Sequence, residues 1–417
     1  MKPPRLKDDC FALPPGVHWT PVDEALQHLR QRLHPISMTE TCAVTEAEGR
    51  FLASDITANR SNPPAANSAV DGYGFAHAKT GSGVQILPLV QGRAAAGVPF
   101  DGEVPAGRAI RILTGAQLPP GVDTVVLEED VTLDGNRIAF HGDLKPHANT
   151  RKAGEDVKAG QRVLTAGTRL RPAEIAILAA VGVKSVIVFK TLRIGVLSTG
   201  DEVVPITDQA GDAQIYDANR PMLLSQIARW GYAAVDLGHV KDNRDALRAR
   251  LDAAASEVDV ILTSGGASAG DEDHVSALLT EAGSAALWRI ALKPGRPLAL
   301  GLWDGVPVFG LPGNPVAAFV CTLVFAAPAI RLLAGGGWHQ PQGFLVPAAF
   351  SKNKKPGRRE YLRARLTGDG KAEVFRSEGS GRISGLAWAD GLVEIEDGAR
   401  QINPGDMVRY IPLTSFE

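Results

Sequence analysis

Cysteine is scarce in this chain. Cys10, Cys42 and Cys321 are far apart and odd in number, so neither a disulfide framework nor a cysteine metal site follows. A reducing cytoplasm is the expected compartment, and Cys321, inside an apolar run, is expected to be a buried thiol. Charge of one sign is lacking too: 44 Lys and Arg face 46 Asp and Glu, a net charge of −2. That balance excludes a global attraction to nucleic acid or to an anionic membrane. No apolar segment follows the opening nine residues, so no signal peptide is expected. The most apolar stretch, residues 316–330, contains Thr322 and Pro328. It is shorter than the ~20 residues that span a bilayer, and a buried helix is expected there. His274 has no second His or Cys at ligand spacing and is read as structural. Internal repeats and extended low-complexity segments are absent.

What remains is a globular composition, 44% hydrophobic and 22% charged. At 417 residues there is room for two to four domains. Residues 21–33 and 172–181 have helical spacing, with Pro21 suited to a first turn. Between them, residues 61–150 alternate short apolar runs (84–90, 109–113, 124–127, 137–140) with Gly and Pro turns, a β-rich insertion. Residues 189 to about 335 alternate buried-strand runs (193–197, 258–262, 306–310) with helical patterns, among them one that Asn219 could cap and one over 243–256. Gly335-Gly336-Gly337 marks a hinge. Beyond it, runs at 343–350, 360–366, 372–376, 392–396 and 407–411 suggest a small β-barrel. The expected class is α/β plus β in several domains. A helical linker domain spans 16–60 and 151–188, the inserted β-rich domain 61–150, a parallel α/β domain 189–336, and a C-terminal β-barrel 341–417.

Each strand run of the α/β unit is followed by a loop of small and polar residues: Ser198-Thr199-Gly200-Asp201-Glu202, then Thr263 to Asp273, then Leu311-Pro312-Gly313-Asn314-Pro315. Parallel sheets bind ligands at the carboxyl ends of their strands, so these loops are expected to converge. Adjacent carboxylates at Asp201 and Glu202 can hold Mg²⁺. Gly265-Gly266 allows close backbone approach to a ligand, Ser264 and Ser268 offer hydroxyls, and Asp271, Glu272 and Asp273 precede a helix start. Lys293-Pro294-Gly295-Arg296-Pro297 is a stiffened loop, and rigid cations bind a phosphate or oxyanion at lower entropic cost. Asn314, before a helix opened by Pro315, adds backbone donors. Upstream, Asp71 and Tyr73 sit beside glycines, Thr114-Gly115 ends a strand, and Gly154-Glu155-Asp156 is a third acidic turn. Taken singly, these are ordinary turn chemistry.

Taken together, the segments 67–74, 114–116, 154–156, 198–202, 216–220, 263–274, 293–297 and 311–315 resemble the molybdopterin molybdenumtransferase family, MoeA in bacteria with the gephyrin E domain as an animal relative. They run in the family's order over nearly the whole chain. The resemblance implies a four-part homodimer whose α/β part is MoaB/Mog-like. It implies binding of adenylylated molybdopterin with Mg²⁺, insertion of molybdate at the dithiolene, and release of AMP. It implies Mg²⁺ held by Asp201, Glu202 and Asp273, and catalytic roles for these three with Asp71, Thr114, Asp156 and Lys293. Substrate contacts are implied for Ser198, Thr199, Gly200, Asp217, Asn219, Ser264, Gly265, Gly266, Ser268, Arg296, Pro312, Gly313, Asn314 and Pro315. In the C-terminal part, with its basic loop from Lys352 to Arg359, they are implied for Arg358 and Ser380. The chain departs from the family at Gly381, where many members have His, at Val70, where Met is usual, and at Ala267 and Ala269, where Val is usual.

Two other readings use the same residues: an adenylyltransferase acting on molybdopterin with ATP, and a noncatalytic scaffold for cofactor intermediates. Molybdopterin adenylyltransferase and molybdoenzyme apoproteins are the expected partners besides a second copy. Molybdate and tungstate carry the same charge and nearly the same size, so residue types do not separate them.

Overall fold

The computed structural model describes residues 19–36, 38–265, 274–282, 286–295 and 297–417. The chain divides into two compact units, residues 1–38 with 189–417, and residues 39–188. The 22–32 helix, expected with the helical linker domain, groups with the first unit. Its inward face, Val22, Ala25 and Leu29, is fully buried.

The first unit is built on a six-stranded sheet in the order Ala233–Val240, Arg193–Thr199, Val260–Ser264, Val306–Leu311, Pro297–Trp303, Ala286–Arg289. Ile194, Val196, Leu197, Val260, Ile261, Leu262, Val308 and Phe309 have no exposed surface, as parallel strands covered on both faces require. The first four strands are parallel. Pro297–Trp303 runs antiparallel to both its neighbours, so the sheet is mixed rather than purely parallel. The cause is local: Asp304 and Gly305 both take positive φ between Trp303 and Val306, the two-residue hairpin turn that Asp-Gly favours.

Helices Asn219–Arg229, Arg244–Glu257, His274–Glu281 and Pro315–Cys321 follow the strands. Asn243 caps the second, its side-chain oxygen accepting from Ala246 N at 2.9 Å. Leu247, Leu251, Leu278 and Leu279 pack on the sheet with Leu197, Ile261 and Val308. The last helical stretch continues to Leu333. At 19 residues it is long and apolar enough to cross a membrane, yet 78% of its apolar window is buried inside the protein, as befits a core helix. Its turns widen over Thr322–Ala326 ahead of Pro328, which has no N–H to give the ladder. Gly335 and Gly336 end it by donating to Leu332 O and Arg331 O. The triple glycine therefore closes a helix where a hinge was expected.

The C-terminal sheet follows the order Leu292–Lys293, Arg359–Leu366, Gly391–Ile395, Met407–Pro412, Phe344–Pro347, with Ala372–Val374 branching from Arg359–Leu366. A bridge between Ala348 and Ala372, with Ala349 N donating to Ala372 O at 2.8 Å, links the end of the Phe344–Pro347 strand back to the Ala372–Val374 branch. The sheet's edge is two residues from the α/β part: Leu292 pairs with Arg359 and Lys293 with Glu360. In the second unit, a six-stranded sheet runs Thr124–Leu127, Gly72–Phe75, Ala109–Ile112, Val84–Ala94, Arg137–His141, Thr132–Asp134. A separate core unites Val44, Leu52 and Ala58 with Val157, Leu170, Leu178 and Val188.

Candidate functional site

The chain leaves the Arg193–Thr199 strand to form Ala233–Val240 on one side, then returns to form Val260–Ser264 on the other. Such a reversal opens a crevice beyond the strands' carboxyl ends. Ser198, Thr199 and Ser264 lie buried at its floor. Gly265, at φ +95°, lies so close to the first loop that a Cβ there would sit 2.7 Å from Thr199 O. Glycine alone permits that approach. The third loop closes on the second: Gly265 N donates to Leu311 O at 3.3 Å, and a Cβ on Gly313 would lie 3.8 Å from Gly265 Cα. Asn219 ties the second loop to the third, its Nδ2 donating to Ser264 Oγ at 2.8 Å and to Gly313 O at 2.6 Å. Helix capping, the expected role of Asn219, falls to Asp217, whose Oδ1 accepts from Arg220 N at 3.0 Å. Asp217 also pairs with the Arg220 guanidinium at 3.3 Å. Its Oδ2 is buried and accepts no hydrogen bond among the described residues.

Ser198 Oγ, Thr199 Oγ1, Thr263 Oγ1 and Asn219 Oδ1 are buried without a hydrogen-bond partner among the described residues. Buried polar atoms are nearly always paired, and each unpaired one costs about 1–3 kcal/mol. Four of them lie around this one crevice. Pro312 is buried beneath the third loop and Gly313 is exposed on it. Asn314 occupies the N-cap position ahead of Pro315 but makes no side-chain cap bond. The Val316 N–H of that first turn donates to Ser380 O at 3.0 Å, so a donor expected to face a ligand is answered by the C-terminal part.

At the crevice mouth, Asp201 Oδ1 accepts from Asp242 N at 3.1 Å and Asp242 Oδ2 from Asp201 N at 3.2 Å. His239 Nε2 donates to Gly200 O at 2.7 Å. The Glu202 carboxylate folds back over Gly200, 2.5 Å from where a Cβ would stand. An all-oxygen set of this kind suits Mg²⁺. The fit is partial: one oxygen of each Asp already holds a backbone N–H, and among the described residues no group of three candidate ligands is close enough to hold a metal. Asp273, the expected third ligand, lies outside the described residues, as do Gly266, Ser268 and Arg296.

Lys293 departs most from expectation. Its ammonium lies 2.6 Å from Glu378 and 3.7 Å from Glu360. Lys352 pairs with the same two carboxylates, Glu360 at 2.9 Å and Glu378. The expected open cation is therefore one corner of a four-charge network. Other members of the basic loop are engaged as well. Lys354 is buried, with its ammonium on the carbonyls of Lys355, Asp397 and Gly398. Arg359 is bidentate to Asp23 at 2.7 and 2.8 Å, while Arg358 is half-buried in the adjoining turn.

Within the second unit, Asp71 and Thr114 are brought together. One Asp71 oxygen accepts from both Thr114 N and Thr114 Oγ1 at 2.6 Å. These bonds, with a smaller contribution from Arg111, hold the carboxyl below its usual range. Asp156 accepts from Asn62 Nδ2 at 3.1 Å.

Comparison with known proteins decides the family. The profile of the MoeA N-terminal region (domain I and II) matches residues 20–182, a probable molybdopterin binding domain matches 195–332, and the MoeA C-terminal region (domain IV) matches 346–413. A molybdopterin molybdenumtransferase of Haemophilus influenzae is 35% identical over 398 residues, covering 94% of this chain and 98% of that protein. The chain belongs to the molybdopterin molybdenumtransferase family. A Bacillus subtilis relative of the same name is 30% identical over 410 residues, 94% of this chain and 93% of that one. A solved molybdopterin biosynthesis MoeA protein of Pyrococcus horikoshii OT3 superposes with a TM-score of 0.82 at 27% identity, covering 95% of this chain and 100% of its own.

In this molybdenumtransferase-family enzyme, several site residues escape a reading of sequence. Asp242 and His239 follow or belong to the Ala233–Val240 strand, whose Asp236, Gly238 and His239 break the apolar run. It is an edge strand, and edge strands lack the continuous apolar signature. Lys352, Glu360 and Glu378 lie far along the chain from Lys293, and the pairing of Lys293 with Glu360 brings it to them. The Asp-Gly at 304–305 was the one available signal for the antiparallel edge.

Proposed function

We propose that this transferase acts in molybdenum cofactor biosynthesis: it takes adenylylated molybdopterin and molybdate, places molybdenum on the dithiolene and releases AMP. The observation carrying this reading is the crevice where Thr199, Gly265 and Gly313 abut around Asn219, with four buried oxygens left unpaired. Hydroxyls at Ser198 and Thr199 can donate to phosphoryl or pterin acceptors, and the Asn219 carbonyl can accept from a pterin N–H. The glycines let backbone approach the ligand closely. Asp201 and Glu202, with Asp273, would hold Mg²⁺, which would supply charge neutralisation and polarise a phosphoryl oxygen. The Asp201–Asp242 backbone pairing fixes the acidic loop before ligand arrives. No protein nucleophile is required, since water can attack phosphorus.

Asp71, Thr114 and Asp156 are proposed to complete the site from the partner protomer of a homodimer, with Asp71 kept ionised by Thr114. Lys293 and Arg296, with Arg358 and Ser380, are proposed to receive the oxyanion. A cytoplasmic enzyme passing its product to apoproteins fits this reading. The test is AMP release from purified protein with adenylylated molybdopterin and Mg²⁺, with and without molybdate, coupled to reconstitution of an apoenzyme. Molybdate-dependent AMP release with cofactor formation is expected. Tight binding without turnover would remove the reaction assigned here, and turnover of ATP with unmodified molybdopterin would replace it.

A further inference from the structure

Two lysines and two glutamates meet beside a cavity of about 200 Å³ lined by Lys293, Lys352, Arg363, Arg376, Ser377 and Glu378 among others. The two glutamates are not equivalent. Glu360 belongs to the Arg359–Leu366 strand and its side chain is 10% exposed, whereas Glu378 sits on a connecting segment with its side chain 44% exposed. Glu378 gives one carboxylate oxygen to each lysine, Oε2 to Lys293 and Oε1 to Lys352. One edge of a tetrahedral oxyanion would present itself to the two ammoniums in the same way. Burial works against the Glu378 charge, yet the hydrogen bonds from Lys293 and Lys352 hold its carboxyl below the usual range. It is therefore a charged occupant at neutral pH.

The backbone around Glu378 is fixed. Arg363 grips the carbonyls of Ser377, Gly379 and Arg382, and Ser380 O accepts from Val316 N. The Glu378 side chain, by contrast, has solvent to swing into. With Glu378 in place, the four side chains sum to zero charge. With it withdrawn, Glu360 still lies 3.7 Å from Lys293 and 2.9 Å from Lys352, and the charge of the cluster rises by one.

We propose that Glu378 is a built-in competitor at this corner, its carboxylate holding the place between Lys293 and Lys352 that a dianionic tetrahedral oxyanion takes when it binds. This rests on the reading that the Lys293 corner receives an oxyanion. The consequence is selectivity by charge. A monoanion gains little by replacing one carboxylate with another, whereas a dianion gains a second favourable charge between the lysines. The dianion has two sources, free molybdate or the phosphate of AMP, which gains its second charge only when the phosphoanhydride is broken.

Calorimetric titration of the full-length protein with molybdate, sulfate and AMP separates them. In Glu378→Gln the competitor is removed with shape kept, and the dianion that uses the corner should bind about ten-fold tighter, the worth of a charge-assisted hydrogen bond. Tightening of molybdate and sulfate together identifies the free oxyanion, and tightening of AMP identifies the phosphoryl group. Unchanged or weaker binding of all three overturns the proposal. Should Glu378→Gln fail to fold, Glu378→Asp, which shortens the reach but keeps the charge, should give a smaller tightening, and none would overturn it equally. AMP release is read separately, on the wild type: no turnover there, with tighter oxyanion binding by Glu378→Gln, would reject the assigned reaction and leave the competitor standing.

Discussion

The crevice at the strand ends and the lysine corner beside the C-terminal sheet solve opposite problems. In the crevice the buried polar atoms are neutral and unanswered: Ser198, Thr199, Thr263 and Asn219 each keep an oxygen without a partner among the described residues. In the corner the groups are charged and answered, every lysine by a glutamate. Neutral hydroxyls can be left unpaired at about 1–3 kcal/mol each. A buried unpaired charge costs several times more. A ligand-ready surface built of hydroxyls and glycines can therefore stand open, while one built of cations must carry its own counter-ions until the ligand displaces them.

The largest effect that would sharpen this contrast lies at Gly265. Its φ of +95° costs a side-chain-bearing residue about 1–2 kcal/mol, and the Cβ would meet Thr199 O at 2.7 Å. Relief requires the two loops to part. Gly265→Ala should fold, with a lowered melting temperature, and lose about 100-fold in kcat/KM, since small displacements of positioning groups carry losses of that order. Full activity in a folded Gly265→Ala would break the comparison, because the chemistry would then not depend on how these loops abut.

Asn219→Ala comes next. It removes both bonds that tie Ser264 and Gly313 to the 219–229 helix, and a loss of about 1–3 kcal/mol in urea unfolding is expected. Nucleotide affinity should fall with it. Asn219→Asp retains the shape but loses both amide donations, and should be no better than Ala. If it binds nucleotide as the wild type does, Asn219 is not the tie that holds the crevice.

How much of this was legible follows from the same contrast. The runs at 193–197, 258–262 and 306–310 announce buried parallel strands, because short stretches dominated by apolar residues on both faces fit burial on two sides. The small residues after them point to the crevice, because glycine there has few other uses. Asn219 could be placed near the site but not given its task, since helix capping and loop bridging use the same amide. The corner was hidden. Lys293 shows in sequence as a cation in a stiff loop, and nothing in the residues around it discloses Glu360, 67 positions on, or Glu378. Counter-ions recruited from a strand far along the chain are a property of packing, which local pattern does not record.

A smaller effect separates the corner's charges by pH. Glu378 has a depressed carboxyl pKa in the folded state, so its stabilisation is present above the unfolded carboxylate value of about 4.3 and is lost as pH falls through the folded value. The wild type should therefore exceed Glu378→Gln in urea midpoint at pH 7, with the gap closing in acid below pH ~4. A gap that persists in acid would mean that Glu378 acts by packing rather than charge.

The smallest effect concerns the second unit, where a third arrangement occurs: an exposed carboxylate held by a single threonine. Thr114→Val removes the Oγ1 donor and keeps the N–H, so the Asp71 carboxyl should titrate at higher pH, closer to the usual range, in a carbon-detected NMR titration. The sign follows from linkage: a depressed carboxyl favours the folded state above its unfolded pKa, and weakening the depression trims that contribution, which vanishes in acid. Activity then discriminates between roles. If Asp71 works as an ionised group on substrate, the acid limb of the kcat/KM profile should move upward with its titration. A titration that shifts while the acid limb stays put would make the Asp71–Thr114 pair a turn-holding device and leave the chemistry to the crevice.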